Sequence, residues 1–177
     1  MKLRARLMAL SISTVALIVT LLFALHLDSL TSNWLDSALD RSTGAGHEIQ
    51  RDIVSRISDA PPRPPDEPIE ETKQAWKQVV ATDQSLTDAM VEQAAGRSAS
   101  IVEINIIGED GHVIASSIPS RVGQAAPRRE DLQTIRDSGF LGRLRAIVKS
   151  RNDYEIRIPL GMMGERQQTR PIFDVQV

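Results

Sequence analysis

An α+β fold, with a long N-terminal helix leading into an antiparallel sheet, is predicted by three observations. From Leu7 to Leu27 no residue carries a fixed charge, and most are aliphatic. Apolar residues at i, i+4 spacing then continue to Ile57. From Ile101 onward the spacing changes to alternation, and Asp110-Gly111 marks a hairpin turn between two apolar stretches.

The apolar run is the first element. About 20 residues rising about 1.5 Å each cross a hydrocarbon layer of about 30 Å. Ser11, Ser13, Thr14 and Thr20 fit such a segment, because their hydroxyls bond back to helix carbonyls. Residues 1–6 carry Lys2, Arg4 and Arg6, and Asp28 is the first charge after the run. Positive residues resist translocation, which predicts a cytoplasmic N-terminus and an extracytoplasmic 28–177. The alternative is a cleaved secretory signal. Its apolar region is shorter, about 7–15 residues, and ends in a small-x-small site. Phe23-Ala24-Leu25-His26-Leu27 offers no such site, which favours an uncleaved anchor at 7–27 in contact with membrane lipid. His26 falls at the membrane edge and reads as interfacial.

Residues 28–60 continue as an amphipathic helix. Leu30, Trp34 and Ala38, then Leu35 and Leu39, then Ile49, Ile53 and Ile57 form its apolar side, and Gly44 and Gly46 weaken its middle, where a bend or break is expected. Four prolines in Pro61–Pro65 cannot continue a helix, so residues 61–68 read as a stiff connector. The remainder, 69–177, is the folded domain. A second helix is expected from near Asp66, with Pro68 in its first turn, and a third over Leu86–Ala95, ended by Gly96.

Five strands are expected: 101–107, 112–117, 144–149, 154–160 and 171–177, the last cut off within its length. A short helix at 129–137, ended by Gly139, separates the first pair from the rest.

Composition narrows the chemistry. Lys and Arg number 21 against 23 Asp and Glu, a net charge of -2, without the basic excess of a nucleic-acid binder. With no cysteine there is no disulfide frame and no Cys-ligated metal, and the redox compartment cannot be read. His26, His47 and His112 lack metal-site spacing, Gly108–Gly111 lacks the longer calcium-loop pattern, and no phosphate-cradling loop occurs. No catalytic set, metal or cofactor is assigned.

One basic constellation stands out. Arg143, Arg145 and Lys149 alternate with Leu144, Ala146 and Val148, and Arg157 alternates with Ile156 and Ile158 beyond Tyr154. If both stretches are paired strands, Arg143, Arg145 and Arg157 gather on one sheet face, with Tyr154 in the same hairpin as a further candidate ligand-binding residue. Arginine's fork of donors there suits a small anion. The other reading is a solvated face on which Arg157 and Glu155 pair locally.

The stretch Ile104-Asn105-Ile106-Ile107-Gly108-Glu109-Asp110-Gly111-His112-Val113-Ile114-Ala115-Ser116-Ser117, with Pro119 and Gly123 after it, resembles extracytoplasmic Cache (PAS-like, or PDC) sensor domains. The layout is similar to the N-terminal sensor region of bacterial membrane sensor histidine kinases. The resemblance implies a PAS-like sheet, a ligand pocket under loops, a homodimer in the bacterial inner membrane, and signalling through the long helix to a two-component kinase. The second membrane helix and kinase region of that layout do not occur before Val177, so the chain is expected to be part of a longer receptor. An anchored envelope interaction or assembly domain without a small ligand is the competing expectation.

Overall fold

A computed structural model describes residues 2–59, 68–96, 100–149, 153–163 and 169–177. The first helix, α1 (Lys2–Asp59), is uninterrupted over 58 residues, about 87 Å at 1.5 Å per residue. Its first part is apolar on every side and exposed: Leu7, Leu10, Ile12, Leu17, Val19, Leu22 and Leu25 all face outward. This helix is long and apolar enough to cross a membrane. Thr14 and Thr20 donate their hydroxyls to the Leu10 and Ala16 carbonyls four residues back, which removes the polar cost of placing them in an apolar segment.

Beyond the run, α1 turns amphipathic, and its apolar stripe is spent on the domain core. Leu35, Ala38, Ala45, Ile49 and Ile53 are buried there with Ile106, Ile158, Val175 and Val177. The helix is not broken at Gly44 or Gly46. Gly46 instead allows close packing: a Cβ placed on it would lie 2.4 Å from Ile158 Cδ1, whereas Gly44 faces open space. The helix therefore keeps its hydrogen bonds and uses one glycine to sit down on the sheet.

Helices α2 (Ile69–Thr82) and α3 (Gln84–Gly96) follow. Asp83 joins them, accepting from the Leu86 amide at 3.0 Å and so capping α3. The same carboxylate pairs with Arg56 at 2.5 Å, tying this junction to α1. Helix α2 begins at Ile69, with Pro68 just before it, later than the expected start near Asp66. The proline-rich connector expected at 61–68 lies outside the described residues except for Pro68.

The sheet has four strands in the order β2-β1-β6-β5, all neighbours antiparallel: β1 (Asn105–Gly108), β2 (Val113–Ser116), β5 (Arg157–Met163) and β6 (Thr169–Gln176). Gly111 has φ 75° and donates its amide to the Gly108 carbonyl at 2.9 Å, closing the predicted hairpin. After a 3₁₀ turn at Pro119–Arg121 the chain folds back along β2, where Gly123 (φ 81°) donates to the Val113 carbonyl. That return covers one sheet edge. A short parallel pair, β3 (Glu130–Asp131) with β4 (Tyr154–Glu155), stands apart from the main sheet.

Two expectations are corrected here. The sheet has four strands rather than five, because residues 144–149 are not a strand. Residues 144–148 belong to α5 (Phe140–Val148), which follows α4 (Leu132–Asp137), and Lys149 is its C-cap. The alternation of Leu144, Ala146 and Val148 coexists with a helical spacing of Phe140, Leu144 and Ile147, and the helical side is the one turned inward. Gly139 opens this helix rather than ending the previous one, and Asp131 caps α4 through the Gln133 amide.

The two glycines of α1 give opposite predictions. Gly44→Ala should raise stability by about 0.5–1 kcal/mol, since it adds helix propensity in open space. Gly46→Leu should lower it by about 1–3 kcal/mol by wedging the helix from the sheet. Urea melts of the two variants beside the parent check both signs.

Candidate functional site: the polar face of the sheet and its cleft

Strand register sorts side chains to two faces. Ile106, Val175 and Ile158 stand side by side and face α1. One residue along, Asn105, Gln176 and Arg157 stand side by side and must face the other way. Glu103 and Ser116 belong to this second face, as Ser116 lies opposite Asn105. It is polar yet buried: Glu103, Asn105, Ser116, Glu155 and Gln176 are all nearly inaccessible.

Burial of two carboxylates requires partners, and they are present. Glu103 receives Arg129 Nη2 at 2.6 Å, Arg121 Nε at 3.2 Å and the Asn105 side-chain amide at 2.9 Å. Glu155 receives Arg157 Nε at 2.7 Å, the Arg129 backbone amide at 3.1 Å and the Gln176 side-chain amide. Gln176 also donates to the Pro127 carbonyl at 2.8 Å, so the segment 127–129 is laced across the face as a roof. Burial opposes the charge on Glu103. The bonds from Arg129 and Asn105, with the charges of Arg129 and Arg121, outweigh that and hold its carboxyl below the usual glutamate range. One acceptor is left over: Asn105 Oδ1 is buried without a hydrogen-bond partner.

A cleft of about 390 Å³ opens where this network meets α1. Trp34, Ala38 and Ser42 of α1 form one wall, and Glu103, Arg129, Asp153, Tyr154, Glu155 and Val177 form the other. Asp153 is the most accessible carboxylate there, 58% exposed and 3.9 Å from Arg129. The cleft thus combines a mainly apolar wall on the long helix with a charged wall from the segments beside the sheet.

The four residues singled out from sequence do not converge. Arg143 lies on α5 and pairs with Asp28 of α1. Arg145 lies one position past the middle of α5 and is exposed. Arg157 is on β5, engaged by Glu155, so the local pairing weighed against the anion patch is the one found. Tyr154 donates its hydroxyl to the Ala146 carbonyl at 3.1 Å and borders both the cleft and a groove of about 530 Å³ that contains Arg145. Burial, with the Glu130 charge nearby, raises its phenol above the ordinary value. The arginine patch rested on two paired strands, and one of them is a helix.

Glu103, Asn105, Arg129 and Gln176 were missed. A usable signal was present: Glu103 and Asn105 alternate with Val102, Ile104 and Ile106, which marks a second face, but alternation alone reads that face as solvated. His47 bonds Gln50, and His112 bonds the Asp110 carbonyl within the turn. No protein-family model matches this chain, and no curated protein matches it.

Arg129→Ala should cost about 3–5 kcal/mol, because it strips a buried carboxylate of its closest cation. Glu103 also makes stability depend on pH. Its folded pKa is depressed, so its contribution is complete above the ordinary value of 4.5 and is lost as pH falls through the lower folded value. Thermal melts from pH 6 to pH 3 should show falling stability below about pH 4.5. Glu103→Gln should flatten that slope, with Asp83 and Asp110, also held low, supplying the remainder.

Proposed function

We propose that this chain is the extracytoplasmic sensing part of a membrane receptor, held in the bacterial inner membrane by residues 7–27 with Lys2, Arg4 and Arg6 on the cytoplasmic side. The observation that carries this reading is continuity. One unbroken helix extends from the apolar run into the domain core, and the same helix forms a wall of the cleft. A ligand between Trp34 or Ser42 and the Glu103–Glu155 network would press on α1 itself, with no flexible joint to absorb the displacement. The resemblance to Cache-type sensor regions of histidine kinases agrees with this arrangement and supplies the output, a two-component phosphotransfer outside these residues.

The cleft favours a small ligand with an apolar body along Trp34 and a cationic or hydrogen-bond-donating end toward Asp153 and Glu155. Leu35, Ile49 and Ile53 are occupied within their own chain. A homodimer in this reading therefore uses the apolar run and Leu30 rather than the whole stripe to Ile57.

A second reading, an anchored interaction domain without a small ligand, draws on the fact that both buried carboxylates already have arginine partners. The two part on one measurement. Replacing Trp76 with Phe leaves Trp34 as the sole tryptophan, and its emission can be followed while amines, amino acids, polyamines and organic acids are titrated. The sensing reading expects at least one class, carrying a donor, to shift Trp34 emission, and Asp153→Asn to weaken that effect at least tenfold. Silence of both Trp34 and the melting temperature across the panel would leave the interaction domain as the better account.

A further inference from the structure

Helix α5 is placed by two ion pairs that descend along α1. Arg136, at the end of α4, meets Asp36 at 2.9 Å, and Arg143 in α5 meets Asp28. Asp36 and Asp28 are about 12 Å apart along a helix, so the chain from α4 to α5 runs toward the apolar run. Asp28 is the first residue past that run. The hydrocarbon core is about 30 Å thick and the whole bilayer about 40–45 Å, which leaves about 5–7 Å of headgroup on each side. Asp28 falls inside that layer when residues 7–27 span the core, and the Arg143 bonded to it falls there too.

The outward side of α5 has the chemistry of that layer. Leu141, Arg145 and Val148 share one face at i, i+4 and i+7, with Lys149 beside them. Leu141 is 76% exposed and Val148 78%, the two most exposed large apolar side chains among the described residues. Two apolar side chains flanked by two cations form an interfacial pattern: the apolar groups enter the acyl boundary while Arg and Lys snorkel to phosphates. The inward side, with Leu144 and Ile147, is partly buried.

We propose that α5 is a membrane-surface helix that inserts Leu141 and Val148 at the headgroup boundary and binds anionic lipid phosphate through Arg145 and Lys149. The inference rests on the membrane anchoring proposed above. It gives the domain a second attachment to the bilayer, about one helix width from the first, and thereby fixes its tilt and rotation about α1.

The test uses the full chain in nanodiscs containing phosphatidylcholine and phosphatidylglycerol, one copy per disc. The chain has no cysteine, so Leu141→Cys, Val148→Cys, Val15→Cys and Glu92→Cys each take a single environment-sensitive fluorophore. The anchored reading expects a deep spin-labelled lipid to quench the label at position 15. The surface-helix inference expects a shallow one to quench labels at 141 and 148 and spare position 92. Adding Arg145→Glu with Lys149→Glu should reduce the shallow quenching at least twofold. Quenching at 15 with water-like signals at 141 and 148 would overturn the surface helix and leave the anchor standing. Loss of quenching at 15 as well would overturn the anchor. Protection at 141 and 148 only in discs holding two copies would assign this face to a second chain and equally overturn the proposal.

Discussion

The seating of α1 on the sheet is the contact on which the other features depend. Leu35, Ala45, Ile49 and Ile53 offer one apolar stripe, and Ile106, Ile158, Val175 and Val177 offer one apolar face. Gly46 lets the two approach until Ile158 fills the space a side chain would take. Neither surface would be stable in water alone, since a single helix or a small sheet cannot bury its own apolar side. Because the stripe belongs to the same helix as the apolar run, the sheet is built directly onto that run.

Committing one sheet face to α1 settles what the other can be. Strand alternation sends Glu103, Asn105, Glu155 and Gln176 to the far side, and the roof at 127–129 removes them from water. Arg129 makes this tolerable twice over, with its guanidinium on Glu103 and its backbone amide on Glu155. Such a network stabilises little relative to an apolar core, but it is unforgiving when one member is removed. Any arrangement of sheet and roof that separates Arg129 from Glu103 leaves a buried carboxylate without its closest cation.

Three ion pairs fix the remaining elements at different heights along α1: Arg143 with Asp28, Arg136 with Asp36, and Asp83 with Arg56. Each is partly screened by solvent and contributes modestly by itself. Their value lies in register. The lower two hold α4 and α5 beside the end of the apolar run, and the upper one holds the α2–α3 junction beside the end of α1.

Some of this was legible from the sequence and some was not, for reasons of range. The apolar run, the amphipathic continuation and the Asp110-Gly111 hairpin depend on neighbours within a few residues, so period and turn chemistry determine them. Residues 140–148 satisfy the strand and helix periods at once, and only docking against α1 and α4 selects the helix. Gly46 reads as a weak point locally and becomes a close contact only when Ile158, over a hundred residues later, is brought against it. The site is the clearest case of this dependence. Glu103, Asn105, Arg129, Glu155 and Gln176 are scattered over more than seventy positions, and nothing in their local spacing distinguishes a solvated face from a buried network. Sequence by itself determined the elements with short-range causes; pairing β6 between β1 and β5, and the roof laid over their polar face, decided which charged residues would meet out of water.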